Sequence, residues 1–160
     1  MALFKHLVVA TDLGECSQPA VDWATQMALE GQAQLTLVHV LEVPIYQYGN
    51  DRSMTVDFFI PLGKLAQKRL AEALEVVRCR VPSADAVLGH GPPWSELLRI
   101  AEEKNADLLV LGTQGHHGVT RMMLGSVAER VVRMATMPVL TVRTPRSDPG
   151  GHRRREVAGA

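Results

Sequence analysis

Few features of this chain are concentrated in one place. Its 160 residues include only two cysteines, Cys16 and Cys79, which form neither a CxxC pair nor a zinc-like spacing. A disulfide framework is thereby excluded, and free thiols in a reducing compartment are expected. Charge of one sign is lacking as well. Lys plus Arg number 17 and so do Asp plus Glu, a net charge of zero. The chain makes no global electrostatic bid for nucleic acid or an anionic membrane. The opening MALFKHLVVATD has too short an apolar run for a signal peptide, and no stretch approaches the roughly 18 apolar residues of a membrane span. A cytoplasmic protein without membrane insertion is expected. There is no internal repeat.

What is present is an ordinary globular composition, 46% hydrophobic and 21% charged. A chain of this length buries roughly 70% of its unfolded surface, enough for one core. Short apolar runs alternate with helical patterns. Leu3–Ala10 reads as a buried strand ending at Thr11-Asp12. Ser17 reads as a helix N-cap with Pro19 in the first turn; Ala20, Trp23, Ala24, Met27 and Ala28 form the inward face, and Gly31 the stop. Gln34–Val40 is a second strand, and 41–54 a loop over one end of the sheet. A helix is expected from Pro61 to Arg80 with Leu62, Leu65, Leu70, Leu74 and Val77 on its core side. Ala84–Leu88, a helix from Pro92-Pro93 through Lys104, and Asp107–Leu111 follow. A glycine-rich loop over 112–118, a helix over Ser126–Met134 and a strand over Pro138–Val142 complete the domain. This alternation predicts a single-domain α/β fold: a doubly wound, five-stranded parallel sheet, Rossmann-like, with right-handed crossovers. It occupies residues 1–144, and 145–160 reads as a flexible tail carrying Arg153, Arg154 and Arg155.

In such sheets ligands sit beyond the carboxyl ends of the strands, where strand order reverses. That brings Asp12, Val40 and the loop from Gly112 together. The segment GTQGHHGVTRMMLGSVAERV, Gly112 to Val131, is a strand end, a glycine-rich loop and a helix start. Glycines let backbone N–H groups approach a phosphate, successive N–H groups form an anion-binding concavity, and the helix start adds its dipole. Ser126 can donate its hydroxyl. The alternative is that these glycines only make turns. Asp12 has two readings: capping of a loop or helix, or ligand contact, directly or through Mg²⁺.

The same segment resembles the universal stress protein family, whose nucleotide-binding members carry Gly-x2-Gly-x9-Gly-Ser/Thr. Here Gly112, Gly115 and Gly125-Ser126 have that spacing. VVATD at Val8–Asp12, NADLLVLGTQG and LGSVAERVVRMATMPVLTVR resemble the family's opening strand, fourth strand and closing segment. The resemblance spans about Phe4 to Arg143. It implies a doubly wound sheet of the adenine nucleotide alpha hydrolase-like kind and an ATP site, with ADP or AMP as alternatives. Thr11 and Asp12 would lie by ribose and adenine, Val40 at the base, and Leu111 beside the site. Gly112, Gly115, Gly125, Ser126 and Val127 would hold phosphates and ribose. Members often have His before the second glycine and Arg after it; here Gln114 and His116 stand there, so His116 is placed at the phosphates. A homodimer through the edge strand Pro138–Val142 is implied, with an unidentified protein partner.

The remaining signals point to structure. GHGPPW, Gly89 to Trp94, has Trp94 where a dinucleotide fingerprint needs its third glycine. Gly63-Lys64 lacks the rest of a P-loop. Cys16 near a helix start reads as a plain thiol, and the adjacent His116-His117 do not form a metal pair. Trp23 and Met27 read as core. No nucleophile, base and oxyanion donor assemble, so no catalytic residues are assigned. Three readings follow: an ATP-binding regulatory or stress-response protein, a slow Mg²⁺-dependent ATPase, and a nucleotide-free dimeric interaction module.

Overall fold

The computed structural model describes residues 3–42, 52–113 and 124–143, with 52–59 described by backbone alone. The elements run β1 (His6–Ala10), α1 (Gln18–Gly31), β2 (Gln34–Leu41), α2 (Arg52–Arg78), β3 (Asp85–His90), α3 (Pro93–Glu103), β4 (Leu108–Gly112), α4 (Ser126–Met134) and β5 (Val139–Val142). The strands form one parallel sheet in the order β3-β2-β1-β4-β5. The expected doubly wound, Rossmann-like α/β sheet is therefore present, with β5 at an edge.

The apolar runs are continuous because both faces of the sheet are covered. Leu7, Val9, Leu35, Leu37 and Val110 face α1 and α2. Val8, Val38, Leu109 and Leu111 face α3 and α4. One polar side chain, Thr36, is fully buried in β2. Its hydroxyl donates to Asp85 Oδ1. Its oxygen must then accept from His6 Nε2, at 2.8 Å. Lys104 Nζ closes the chain on Asp85 Oδ2 at 2.6 Å. Burial pushes the Asp85 carboxyl up, but the hydrogen bonds from Lys104 and Thr36 and the Lys104 charge outweigh it and hold the group below its ordinary value.

Several boundaries differ from the expectation. β1 begins at His6, and Leu3 is solvent-exposed. Helix α1 closes on Gln32, whose φ of 51° is the left-handed turn expected one residue earlier, at Gly31. Helix α2 starts at Arg52, so Pro61 lies inside it. Proline lacks the N–H an interior turn needs, which is why the pattern placed a start there. Trp23 is 58% exposed. The buried stripe of α1 is Ala20, Val21, Ala24, Thr25 and Ala28. Trp23 therefore lies off that buried stripe, on the solvent side of α1. Leu62 and Leu65 are also exposed, because the core side of α2 is Ala66, Leu70 and Val77.

Candidate functional site

Strand order reverses at β1: the chain runs outward through β2 and β3 on one side, and through β4 and β5 on the other. The carboxyl ends of β1, β2 and β4 therefore share one crevice. Thr11 leaves β1 with its N–H still bonded to Val38 O at 2.8 Å. The turn after it is held by side chains. Thr11 Oγ1 accepts the Leu13 N–H at 3.0 Å, and Asp12 Oδ1 accepts the Gly14 N–H at 2.9 Å. These are hydroxyl- and carboxylate-closed turns, which hold Leu13 at φ 60°, a left-handed conformation rare for a branched residue.

Ser17 occupies the N-cap position of α1 but caps no helix N–H. Its hydroxyl donates to Asp12 Oδ1 at 2.6 Å and its oxygen accepts the Asp12 N–H at 3.1 Å. Thr11 Oγ1 lies 3.0 Å away and, with the Ser17 proton given to the carboxylate, is the donor of that pair. The expected cap is thus a clamp on the β1–α1 turn. The carboxylate at Asp12 draws the hydroxyl away from the helix because a charge-assisted bond outcompetes a neutral one.

His39, in β2, adds a second clamp. Its Nδ1 lies 2.8 Å from Thr11 O. A carbonyl only accepts, so Nδ1 carries the proton. Ser17 and His39 were not among the expected site residues. The sequence signals were an Asp and a Ser five residues apart and a histidine at the end of an apolar strand.

Across the crevice, β4 delivers buried Leu111 and then Gly112, which pairs with Val142. Thr113 donates its N–H to Val142 O at 2.9 Å, and its carbonyl accepts the Gly125 N–H at 2.8 Å. The two ends of the glycine loop are therefore tied together. Gly125, with no side chain of its own to cap the helix, is the N-cap residue of α4, and Ser126 is its first residue. Val127 and Val40 pack into the core on the α3/α4 face. Thus Thr11, Asp12, Val40, Leu111, Gly112, Gly125, Ser126 and Val127 all stand on elements that end at the crevice. Gly115, His116 and Gln114 lie outside the described residues, as does the 145–160 tail.

The glycines of the GHGPPW run have structural work. A Cβ on Gly89 would stand 3.1 Å from Ile100 Cδ1 and 3.2 Å from Val40 Cγ2, so glycine lets α3 and β2 close on β3. Trp94 lies under the Arg130 guanidinium, 5.7 Å from its ring centre. Among the described residues no three His, Cys, Asp or Glu cluster as a metal site, and no helix is long and apolar enough to cross a membrane.

Fold and crevice define a doubly wound α/β protein with its switch point between β1 and β4, the place where such sheets receive ligands. Residues 3–143 match the model of the universal stress protein family. A relative from Coxiella burnetii, universal stress protein A homolog 1, is 35% identical over 141 residues, covering 87% of this chain and 96% of the relative. This chain belongs to the universal stress protein family. Among solved structures, the universal stress protein UspA from Lactobacillus plantarum superposes with a TM-score of 0.80 at 23% identity, covering 89% of this chain and 100% of that one. A universal stress protein in complex with cAMP superposes with a TM-score of 0.68 at 27% identity, covering 89% and 98%.

Proposed function

We propose that this chain is a regulatory, stress-response protein that binds an adenine nucleotide, ATP foremost, in the crevice between β1 and β4. The observation that carries the reading is the clamped β1–α1 turn at the switch point, with α4 starting at Gly125-Ser126 after β4. Thr11 and Asp12 are held by Ser17 and His39 on one wall, and Gly112, Gly125 and Ser126 end the other. Backbone N–H groups at the start of α4 present partial positive charge to phosphate oxygens, and Ser126 adds a hydroxyl. Gly115 and His116, in the loop between, complete the phosphate cradle in this reading. Val40, Leu111 and Val127 flank the nucleoside. A universal stress protein solved in complex with cAMP supports an adenine ligand. ADP and AMP would use the same nucleoside wall.

Asp12 is the residue of this site that can hold a Mg²⁺ arriving with the nucleotide. Its Oδ1 already accepts two hydrogen bonds, from Ser17 and Gly14, so the ion would be carried chiefly by the phosphates. The ion would neutralise phosphate charge, while Thr11, Asp12 and Ser17 fix the turn that receives the nucleoside.

The edge position of β5 supports a homodimer through 138–142, and we take the protein to work in the cytoplasm. Leu109 N bonds Pro138 O and Thr113 N bonds Val142 O. With the period of two along a strand, Val139 and Thr141 turn their backbone groups to the free edge. A second copy can pair there about a two-fold axis.

Mass spectrometry of the purified protein after denaturation tests the reading. Co-purified ATP is expected. ADP that accumulates with added ATP would make the protein a slow ATPase, and an empty site that titrates with no adenine nucleotide would leave an interaction module.

A further inference from the structure

Helix α2 has two patterned faces. Ala66, Leu70 and Val77 are buried against the sheet. A second row runs Leu62, Leu65, Arg69, Glu72, Val76 and Cys79, spaced alternately three and four residues apart, the spacing of a helix–helix seam. At about 100° per residue it lies roughly a quarter-turn or more from the buried face, on the shoulder toward α1. The row is open: Leu65 is 49% exposed and Val76 is 69% exposed. A cavity of roughly 440 Å³ separates it from α1, with Arg69, Glu72 and Val76 on one wall and Gln18 and Val21 on the other. Arg69 makes no ion pair among the described residues, and Glu72 has only Lys68, at 3.9 Å.

The order of charges along the row selects the occupant. One cation and one anion stand next to each other at the centre, with apolar residues on either side. Turned about a two-fold axis between positions 69 and 72, the row is its own complement. An antiparallel copy sets Arg69 against the partner's Glu72, Leu65 against the partner's Val76, and Leu62 against the partner's Cys79. A row of single sign would repel itself in that arrangement. We propose that this shoulder of α2 is a docking surface for a second copy of the chain, α2 packing antiparallel on α2 with Arg69 facing the partner's Glu72. The surface lies over β2 and β3, at the end of the sheet opposite β5. The cavity beside it also reaches Thr11 and Leu13 of the β1–α1 turn, so the surface adjoins the nucleotide crevice; it is separate from β5, and both contacts can form in one assembly.

Cysteine cross-linking tests the register directly. In a Cys16→Ser background, Leu62→Cys places a thiol opposite the partner's Cys79. Within one chain the two positions are about 25 Å apart along the helix, far beyond disulfide reach, so any bond between them joins two chains. Mild oxidation at tens of micromolar is expected to give a doubly bridged dimer, with position 62 linked to Cys79 by peptide mass spectrometry. Ala71→Cys, exposed on the other shoulder, is expected to give only background. Arg69→Glu or Glu72→Arg should cut the Leu62→Cys cross-link rate by about tenfold through like-charge contact, and the double swap should restore it to within about twofold. A Leu62→Cys yield no greater than that of Ala71→Cys would overturn the proposal. So would a double swap as weak as its single components, in proteins whose thermal unfolding matches the parent.

Discussion

Replacing Ser17 by alanine removes a clamp rather than a cap. The hydroxyl makes one hydrogen bond to the Asp12 carboxylate, accepts the Asp12 N–H, and meets Thr11 Oγ1. A bond to a charged group contributes about 1.5–3 kcal/mol net and each neutral one about 0.5–1.5 kcal/mol. Gly14 continues to serve Asp12 Oδ1, and neighbouring bonds do not add fully. The expected loss is therefore about 2–4 kcal/mol, a large share of a typical 5–15 kcal/mol. In a chain of this size that lowers Tm by roughly 5–15 °C. A plain N-cap deletion would cost only about 1 kcal/mol and leave the ligand site untouched. The clamp also holds Leu13 left-handed, a conformation that stores on the order of 1–3 kcal/mol. Once it is loosened, the binding-competent turn becomes a minor population and ATP affinity falls by about tenfold. Urea unfolding followed by circular dichroism measures the first effect and calorimetric titration the second. Ser95→Ala, which removes one exposed bond to Pro92 O, is the control, with a change under about 0.5 kcal/mol. A Ser17→Ala protein within about 1 kcal/mol of wild type and with unchanged ATP affinity would refute the clamp.

The Asp85 carboxyl is held below its ordinary value in the folded chain. Its contribution is therefore full above the usual carboxylate range and is lost as pH falls through it. Asp85→Asn should flatten the acid limb of a stability–pH curve below about pH 5, with a cost near neutrality of no more than about 1 kcal/mol, because about a third of both side chains is open to water. An unchanged acid limb would remove Asp85 from the account. Gly63→Ala meets nothing within 4 Å and should raise stability by about 0.5–1 kcal/mol. Gly89→Ala, with Ile100 and Val40 in its way, should lower it by about 1–3 kcal/mol; chemical denaturation of the pair decides both. Thr141→Pro deletes an outward N–H of β5 without touching the β4 ladder. Combined with Arg69→Glu, which opposes α2 docking, it is expected to give a monomer by light scattering, and a dimer of unchanged stability would move the interface elsewhere.

The strand–helix alternation carried the fold because each period is enforced by burial on both faces. β4 and α4 fall close to where the apolar run and Gly125-Ser126 place them. The edge position of β5 came from the resemblance, since pairing order is not written in local pattern. Trp23 misled because large apolar residues count as core in a periodic reading; on α1 the buried stripe is alanine-rich, and the tryptophan lies a flank away. Pro61 misled because local chemistry favours a helix start there, whereas the chain carries the helix through it. At the site, Asp12 and Gly125-Ser126 were legible from strand ends and glycine spacing. Ser17 was legible as a residue but not in its role. Its hydroxyl had two partners to choose from, the helix N–H groups and a carboxylate five residues back, and only the folded turn decides. His39 gave only a weak signal, a histidine at the end of an apolar strand, and it becomes meaningful only when its ring reaches Thr11 O at the neighbouring strand end.

The central claim is that the β1/β4 crevice and the loop from Gly112 hold ATP. The direct measurement is calorimetric titration of ATP into wild type and into Gly115→Val, at matched pH and salt, after nucleotide has been stripped from both. A branched side chain at position 115 is expected to block the backbone's approach to phosphate, while the described hydrophobic core is formed outside that loop. The account predicts saturable one-site binding to wild type and none to the variant, with both unfolding at closely similar temperatures. Equal ATP affinity in the two proteins would contradict it.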